Sequence, residues 1–359
     1  MLENHELFLS LEEQRAPVPT AFPGATIRVD GTTLETTEVF AAYWRFAAER
    51  QRMFRKRLLG INDPILTQDR VLAGYRFTNA YRASDRVSQY LLRHVIWGSR
   101  QEWSPEDVFY RTLLFKLFNK IETWEALEGE LGALTWGRHD FGAMDAVLSH
   151  RQAAAQRNYS AAYIMPSGGS AFGHSSKHAN HLRLLEWLMR KDYPRRLRKC
   201  QTMREAYDLL IAAPSVGPFL AYQFATDLNY TALTSFSEME FVKAGPGALD
   251  GIAKCFQSAR GVSPEAIIEH MAVHQVRYFD LFEIEFPSLW GRPLQLIDCQ
   301  NLFCEISKYA RVAFPNISGS SGRTRIKQKF APAGRLPTPF YPPDWGLNET
   351  IEAELGMAK

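Results

Sequence analysis

The sequence has four cysteines in 359 residues, Cys200, Cys255, Cys299 and Cys304, with no CxxC pair and no secretory signal ahead of them. That usage fits neither a thiolate metal site nor a secreted disulfide framework, and it predicts a reducing, cytoplasmic setting. No apolar run approaches the roughly 18 residues that cross a bilayer, so a soluble protein without a membrane partner is expected. Internal repeats, a P-loop and a GxGxxG motif are all missing. Charge of one sign is scarce too: 42 Lys and Arg against 39 Asp and Glu leave a net charge of +3, too mild to argue for nucleic acid by itself. The basic residues do cluster, over 45–57, 190–199 and 323–329, each of which reads as a solvated face or as a contact surface.

What is present is a core, since 46% of the residues are hydrophobic and 23% charged. The length suits two average domains, or one large helical domain with extensions at both ends. Apolar residues recur at helical spacing in ten segments: 37–59, 73–97, 105–127, 142–156, 178–189, 202–212, 218–228, 247–258, 264–282 and 294–312. Alternation is nearly absent, which predicts an all-α domain over 37–312. Residues 1–36 form an N-terminal extension with a short acidic helix and one hairpin, and residues 313–359 a Pro/Gly/basic tail.

The helical pattern breaks at Pro214-Ser215-Val216-Gly217-Pro218 and then resumes, which reads as a helix-hairpin-helix turn. Gly217 is expected to let the chain reverse, and the free N–H groups of the next helix to face a phosphate, with Val216 and Gly217 against a DNA backbone. Gly245-Pro246-Gly247 opens another helix, so Gly245 and Gly247 offer a second anion cradle.

Several polar groups stand on apolar helices. Over 73–97, Arg82, Asp85, Arg86, Gln89 and Arg93 share one face, either an ordinary surface or a guanidinium fork for phosphate. Arg111, Asn119 and Glu122 line a stripe of an otherwise buried helix, as a satisfied network or a pocket wall. Asp298, Asn301, Glu305 and Lys308 repeat the theme, and Gln223, Asp227, Glu238 and Glu240 complete an acidic, amide-rich set. His174, His178 and His181 have no supporting zinc motif; the Gly- and His-rich stretch 167–178 reads better as a segment covering substrate.

Five segments, FTNAYRASDRVSQY (77–90), YRTLLFKLFNKIETW (110–124), GPFLAYQFATD (217–227), EMEFVKAGPG (238–247) and CEISKYAR (304–311), resemble in order and spacing the α-glutamyl/putrescinyl thymine pyrophosphorylases and the related helical domain of 5-hydroxymethyluracil DNA kinases. The hairpin followed by an acid is more loosely similar to helix-hairpin-helix DNA glycosylases. The first resemblance implies an enzyme that hypermodifies thymine in double-stranded DNA: an upstream kinase diphosphorylates 5-hydroxymethyluracil, and an amino acid or polyamine then displaces pyrophosphate. The kinase half is expected to be absent. Base extrusion, a cationic clamp and a carboxylate base are implied. The clamp would be Arg82, Arg86, Arg111 and Lys308, with Asn79, Tyr81, Asp85, Asn119, Glu122 and Gln223 around the substrate. Glu240, Glu238 and Asp227 are the candidate bases, Asp298 and Glu305 next, and Mg2+ would help neutralise the diphosphate although no motif demands it. A glycosylase, or a helical module that only grips DNA, are the alternatives.

Overall fold

A computed structural model describes residues 24–61, 66–98, 102–161, 165–331 and 334–356; the acidic N-terminal helix expected from the sequence lies outside them. The chain enters through an antiparallel hairpin, β1 (Thr26–Val29) and β2 (Thr32–Glu35), the one sheet among the described residues. Its two-residue turn, Asp30-Gly31, has positive φ at both positions (46° and 76°), as the twist of such a hairpin requires.

Helix α1 (Glu38–Leu58) follows, with Thr37 accepting the Val39 N–H and basic residues in the last turn. It is buried along most of its length, and Trp44 stacks on Tyr278 with ring centres 5.1 Å apart. After it come α2 (Arg70–Gly74), α3 (Arg86–Tyr90), α4 (Pro105–Phe118), α5 (Ile121–Leu131), α6 (Phe141–Ala153), α7 (Gly169–Phe172), α8 (Lys177–Arg190), α9 (Tyr193–Leu197), α10 (Met203–Ile211), α11 (Pro218–Asn229), α12 (Pro246–Cys255), α13 (Pro264–Val273), α14 (Gln275–Leu281), α15 (Leu296–Ala313) and α16 (Asn348–Glu354). The fold is all-α, as the periodicity predicts. Helices α12 and α15 meet so closely that a Cβ at Gly251 would lie 2.0 Å from the Phe303 carbonyl oxygen.

The structure corrects four local expectations. The helix expected over 73–97 is broken: after α2 the chain runs extended, then makes a 3-10 turn (Arg82–Ser84), α3 and a π turn (Leu91–Ile96). The backbone N–H groups of Arg76, Thr78 and Asn79 are taken by the Gln328 carbonyl, Glu305 and Asp85, so a helical ladder does not form there. The helix expected over 105–127 divides at Asn119, which is left-handed at φ 49°. That over 264–282 divides at His274. In the turn between α10 and α11 it is Ser215, at φ 63°, that holds the left-handed conformation, while Gly217 is extended at φ −85°.

The C-terminal segment packs onto the helical body. Tyr341 and Ile351 are fully buried, Tyr341 exchanges a hydrogen bond with Ser84 at 2.7 Å, and Gln89 bonds the backbone of Phe340 in both directions.

Candidate active site

A buried polar network links five parts of the chain. Its centre is Arg82, whose terminal nitrogens donate to both oxygens of Asp227 on α11 at 2.8 and 3.0 Å and whose Nε donates to Gln223 at 3.1 Å. Lys116 of α4 approaches Asp227 at 3.2 Å and donates to Asn119 at 2.8 Å. The Arg82 backbone N–H donates to Asp298 (2.8 Å), which also closes a capping box with Gln295 at the start of α15. On the outer side Asp85 accepts the Asn79 N–H, Arg50 donates to Asn79, Glu305 accepts the Thr78 N–H, and Lys308 pairs with Glu305 at 2.7 Å. Tyr81 joins this frame by donating to the Arg292 carbonyl.

Glu238 stands beside it. Its carboxylate accepts from Arg292 at 2.7 Å, and the Arg292 guanidinium lies 3.7 Å from the centre of the Trp345 ring. Trp345 belongs to the C-terminal segment and also packs edge-on against Tyr230.

Burial divides the acids by partnership. Around Asp227 burial pushes the carboxyl up, but Arg82 and Lys116 outweigh it and hold the group below its usual range. The same burial brings Lys116 down to about 8 against the pull of Asp227. Glu238 is pushed up to about 7 by burial, which Arg292 only partly offsets, and Asp298 up to about 6, against its two backbone donors. Asp85 rises to about 7, by burial opposed by the Asn79 N–H, with Glu305 adding to the rise. Three carboxyls thus change protonation within reach of neutral pH.

The network therefore gathers Asn79, Tyr81, Arg82, Asp85, Asn119, Gln223, Asp227, Asp298, Glu305 and Lys308, with Glu238 close enough to feel the charges of Arg82 and Asp298. The other candidates lie elsewhere. Arg111 sits between the rings of Trp103 and Trp124 and donates to the carbonyls of Val95, Leu134 and His94. Arg86 is exposed and pairs with Glu122, because the broken helix turns it away from Arg82. The clamp of Arg82, Arg86, Arg111 and Lys308 does not assemble, and Arg82 is already engaged at all three nitrogens. Glu240 is exposed. Val216 is buried, whereas a Cβ at Gly217 would meet nothing within 4 Å. Gly245 and Gly247 are packing positions: a Cβ would come 2.6 Å from the Phe219 ring and 3.0 Å from Cys304 Sγ.

His174, His178 and His181 do not converge. His178 meets Ser149 and Asp145, and His181 meets Tyr159 and the Pro166 carbonyl. No group of three or more potential metal ligands occurs among the described residues, and none of their helices is long and apolar enough to cross a membrane.

Lys116, Arg50, Arg292, Ser84 and Trp345 escaped the sequence reading. Only Lys116 carried a signal, a lysine inside the apolar run LLFKLF.

The chain is 24% identical over 300 residues to a protein named 5-hmdU DNA kinase from Bacillus phage SP10, across 79% of this chain and 46% of that protein, so it spans about half the length of that relative. No solved structure matches it. Residues 37–319, which hold the whole network and the Glu238–Arg292 pair, match the family described as 5-hmdU DNA kinase, helical domain, and the chain belongs to that family.

Proposed function

We propose that this protein acts in thymine hypermodification, displacing pyrophosphate from 5-(diphosphoryloxymethyl)uracil in DNA with an amine. The observation that carries the reading is the family match over 37–319, which spans the buried network and its three carboxyls of raised pKa. In the reaction the amine nitrogen bonds to the exocyclic carbon and the C–O bond breaks with its electrons leaving on the diphosphate. A carboxylate takes the proton that frees the ammonium lone pair. Glu238 suits that step better than exposed Glu240, because a base whose pKa lies near 7 is both available and strong enough at neutral pH. Arg82 and Lys116 are both committed to Asp227, and the three act as frame. Lys308, at the half-buried edge of the network and paired there with Glu305, is the candidate cation for the diphosphate. Duplex DNA, the upstream kinase and a small amine are the partners this chemistry requires.

The test is duplex DNA bearing the diphosphorylated base, incubated with this protein and single amines, followed by nucleoside mass spectrometry. A new C–N linked nucleoside is expected. Glu238→Gln should lower its yield about 10²-fold, the usual range for a lost general base, and Glu240→Gln should leave it within a few-fold. Abasic sites would instead assign a glycosylase, and unchanged DNA with every amine would discard the reading.

A further inference from the structure

The net charge of +3 hides a strong local concentration. Between residues 183 and 199 there are seven Lys and Arg and two acids, so the remainder of the chain is net negative. The structure shows where this charge goes. Arg190, Lys191, Arg195, Arg196, Arg198 and Lys199, at the end of α8 and along α9, are all exposed. The two acids do little to cancel them: Glu186 is buried beneath and already bound by His139 and Arg183, and Asp192 reaches Arg195 only at 4.0 Å. Arg190 keeps 68% of its side chain in solvent while touching Glu186 at 3.4 Å.

Of the other basic runs, that over 323–329 also exposes its Lys and Arg, whereas that over 45–57 is not equivalent. In 45–57, Arg50 is buried in the network, Arg52 binds Glu49 and the Glu285 carbonyl, and Arg55 lies on Trp290 and pairs with Glu354. Beside the α8–α9 face opens a cleft of about 580 Å3, lined by Phe172, His174, Arg183, Trp187, Arg190 and Lys191 among others. The cleft presents guanidiniums and aromatic faces together. The face is also tied to the hairpin: α9 leads to α10, whose far end is the turn at Ser215. A nine-residue helix spans roughly 13 Å, about four phosphates along one strand.

We propose that the α8–α9 face is a docking surface for the phosphate backbone of duplex DNA, separate from the buried network. It rests on the reading of the chain as a DNA-modifying protein. Closely spaced exposed cations in excess of their acids bind a polyanion by releasing its counterions, and they do so without regard to base sequence.

The experiment measures binding of a labelled duplex about two helical turns long by fluorescence anisotropy over a range of salt, using the full chain. The variant is Arg190→Ala/Arg195→Ala/Arg198→Ala, all surface positions, with Arg183 and His139 left to hold Glu186. Affinity should fall about 10-fold or more, and the slope of log K against log salt should become shallower by about 2 to 3. A control, Arg260→Ala/Arg277→Ala, removes two exposed arginines outside the face and should bind like wild type. Circular dichroism checks that each variant is folded. Unchanged affinity and slope in the triple variant would overturn this inference and leave the proposed chemistry standing; so would an equal loss in the control. A wild-type chain with no affinity for duplex would overturn it as well, while the nucleoside assay decides the chemistry independently.

Discussion

Arg82 and Asp227 lie 145 residues apart and meet in a two-pronged ion pair from which water is excluded, Asp227 having no exposed side chain. A second cation, Lys116, shares the carboxylate. Removing either sign leaves the other charged and desolvated, which is the costly way to disturb a buried pair.

Asp227→Asn keeps the shape of the side chain but leaves Arg82 and Lys116 without a counter-charge. It should cost about 3 to 5 kcal/mol in urea unfolding at neutral pH. Arg82→Lys keeps a charge but loses the two-pronged geometry and the Gln223 bond, and should cost less. An Asp227→Asn midpoint equal to that of wild type would show that the pair holds nothing together.

Glu238 predicts a pH dependence. Its folded pKa of about 7 lies above its ordinary value, so the folded state binds this proton more tightly. The resulting stability is full below pH ~4 and is lost as pH rises towards 7. Glu238→Gln removes this loss, so the stability difference between variant and wild type should shift in the variant's favour between pH 5 and pH 7.5, by at most ~1.4 kcal/mol per pH unit. His181 and His270, whose pKa values burial lowers to about 4, slope the opposite way in both proteins and cancel in the difference. A difference that stays flat across that range would place the Glu238 pKa at its ordinary value.

Two glycines should respond oppositely. Gly251→Ala drives a methyl group into the Phe303 carbonyl oxygen and should destabilise by about 1 to 3 kcal/mol as α12 and α15 are forced apart. Gly217→Ser adds a side chain into open space at the N-cap of α11, where serine is favoured, and should leave the unfolding midpoint unchanged or slightly raised. Thermal melts of the two variants side by side decide it.

The C-terminal segment should be part of the cooperative unit. Trp345→Ala removes the stack on Arg292 and the contact with Tyr230, and Tyr341→Phe removes the bond to Ser84. Both should lower Tm, the first by more, and Trp345→Ala should also bring the Glu238 pKa back towards the ordinary carboxylate range, because relief of burial, the largest cause of the rise, outweighs the lost Trp345 hydrogen bond that lowers it. Separate melting of this segment in hydrogen exchange would contradict the first expectation.

The sequence by itself determined the helical class, because apolar spacing of 3.6 is a local property that packing rarely reverses. It also singled out Asp227, Asp298 and Glu305, since a carboxylate on an apolar helix must find a partner inside the protein. The partners themselves were decided only by the tertiary structure. Nothing near Asp227 in the chain names Lys116, and nothing near Glu238 names Arg292 or Trp345; those contacts join residues more than 50 positions apart. Helix continuity shows the same division. No Gly or Pro marks a break between Tyr75 and Tyr81, yet three backbone N–H groups there are captured by acceptors outside a helical ladder, two of them carboxylates and two of them distant in the chain. Ser215 rather than Gly217 bears the left-handed turn. Local propensity favours a helix by a few tenths of a kcal/mol per residue, and a buried hydrogen bond to a charged group is worth several times that, so the network set the path of the chain where the two conflicted.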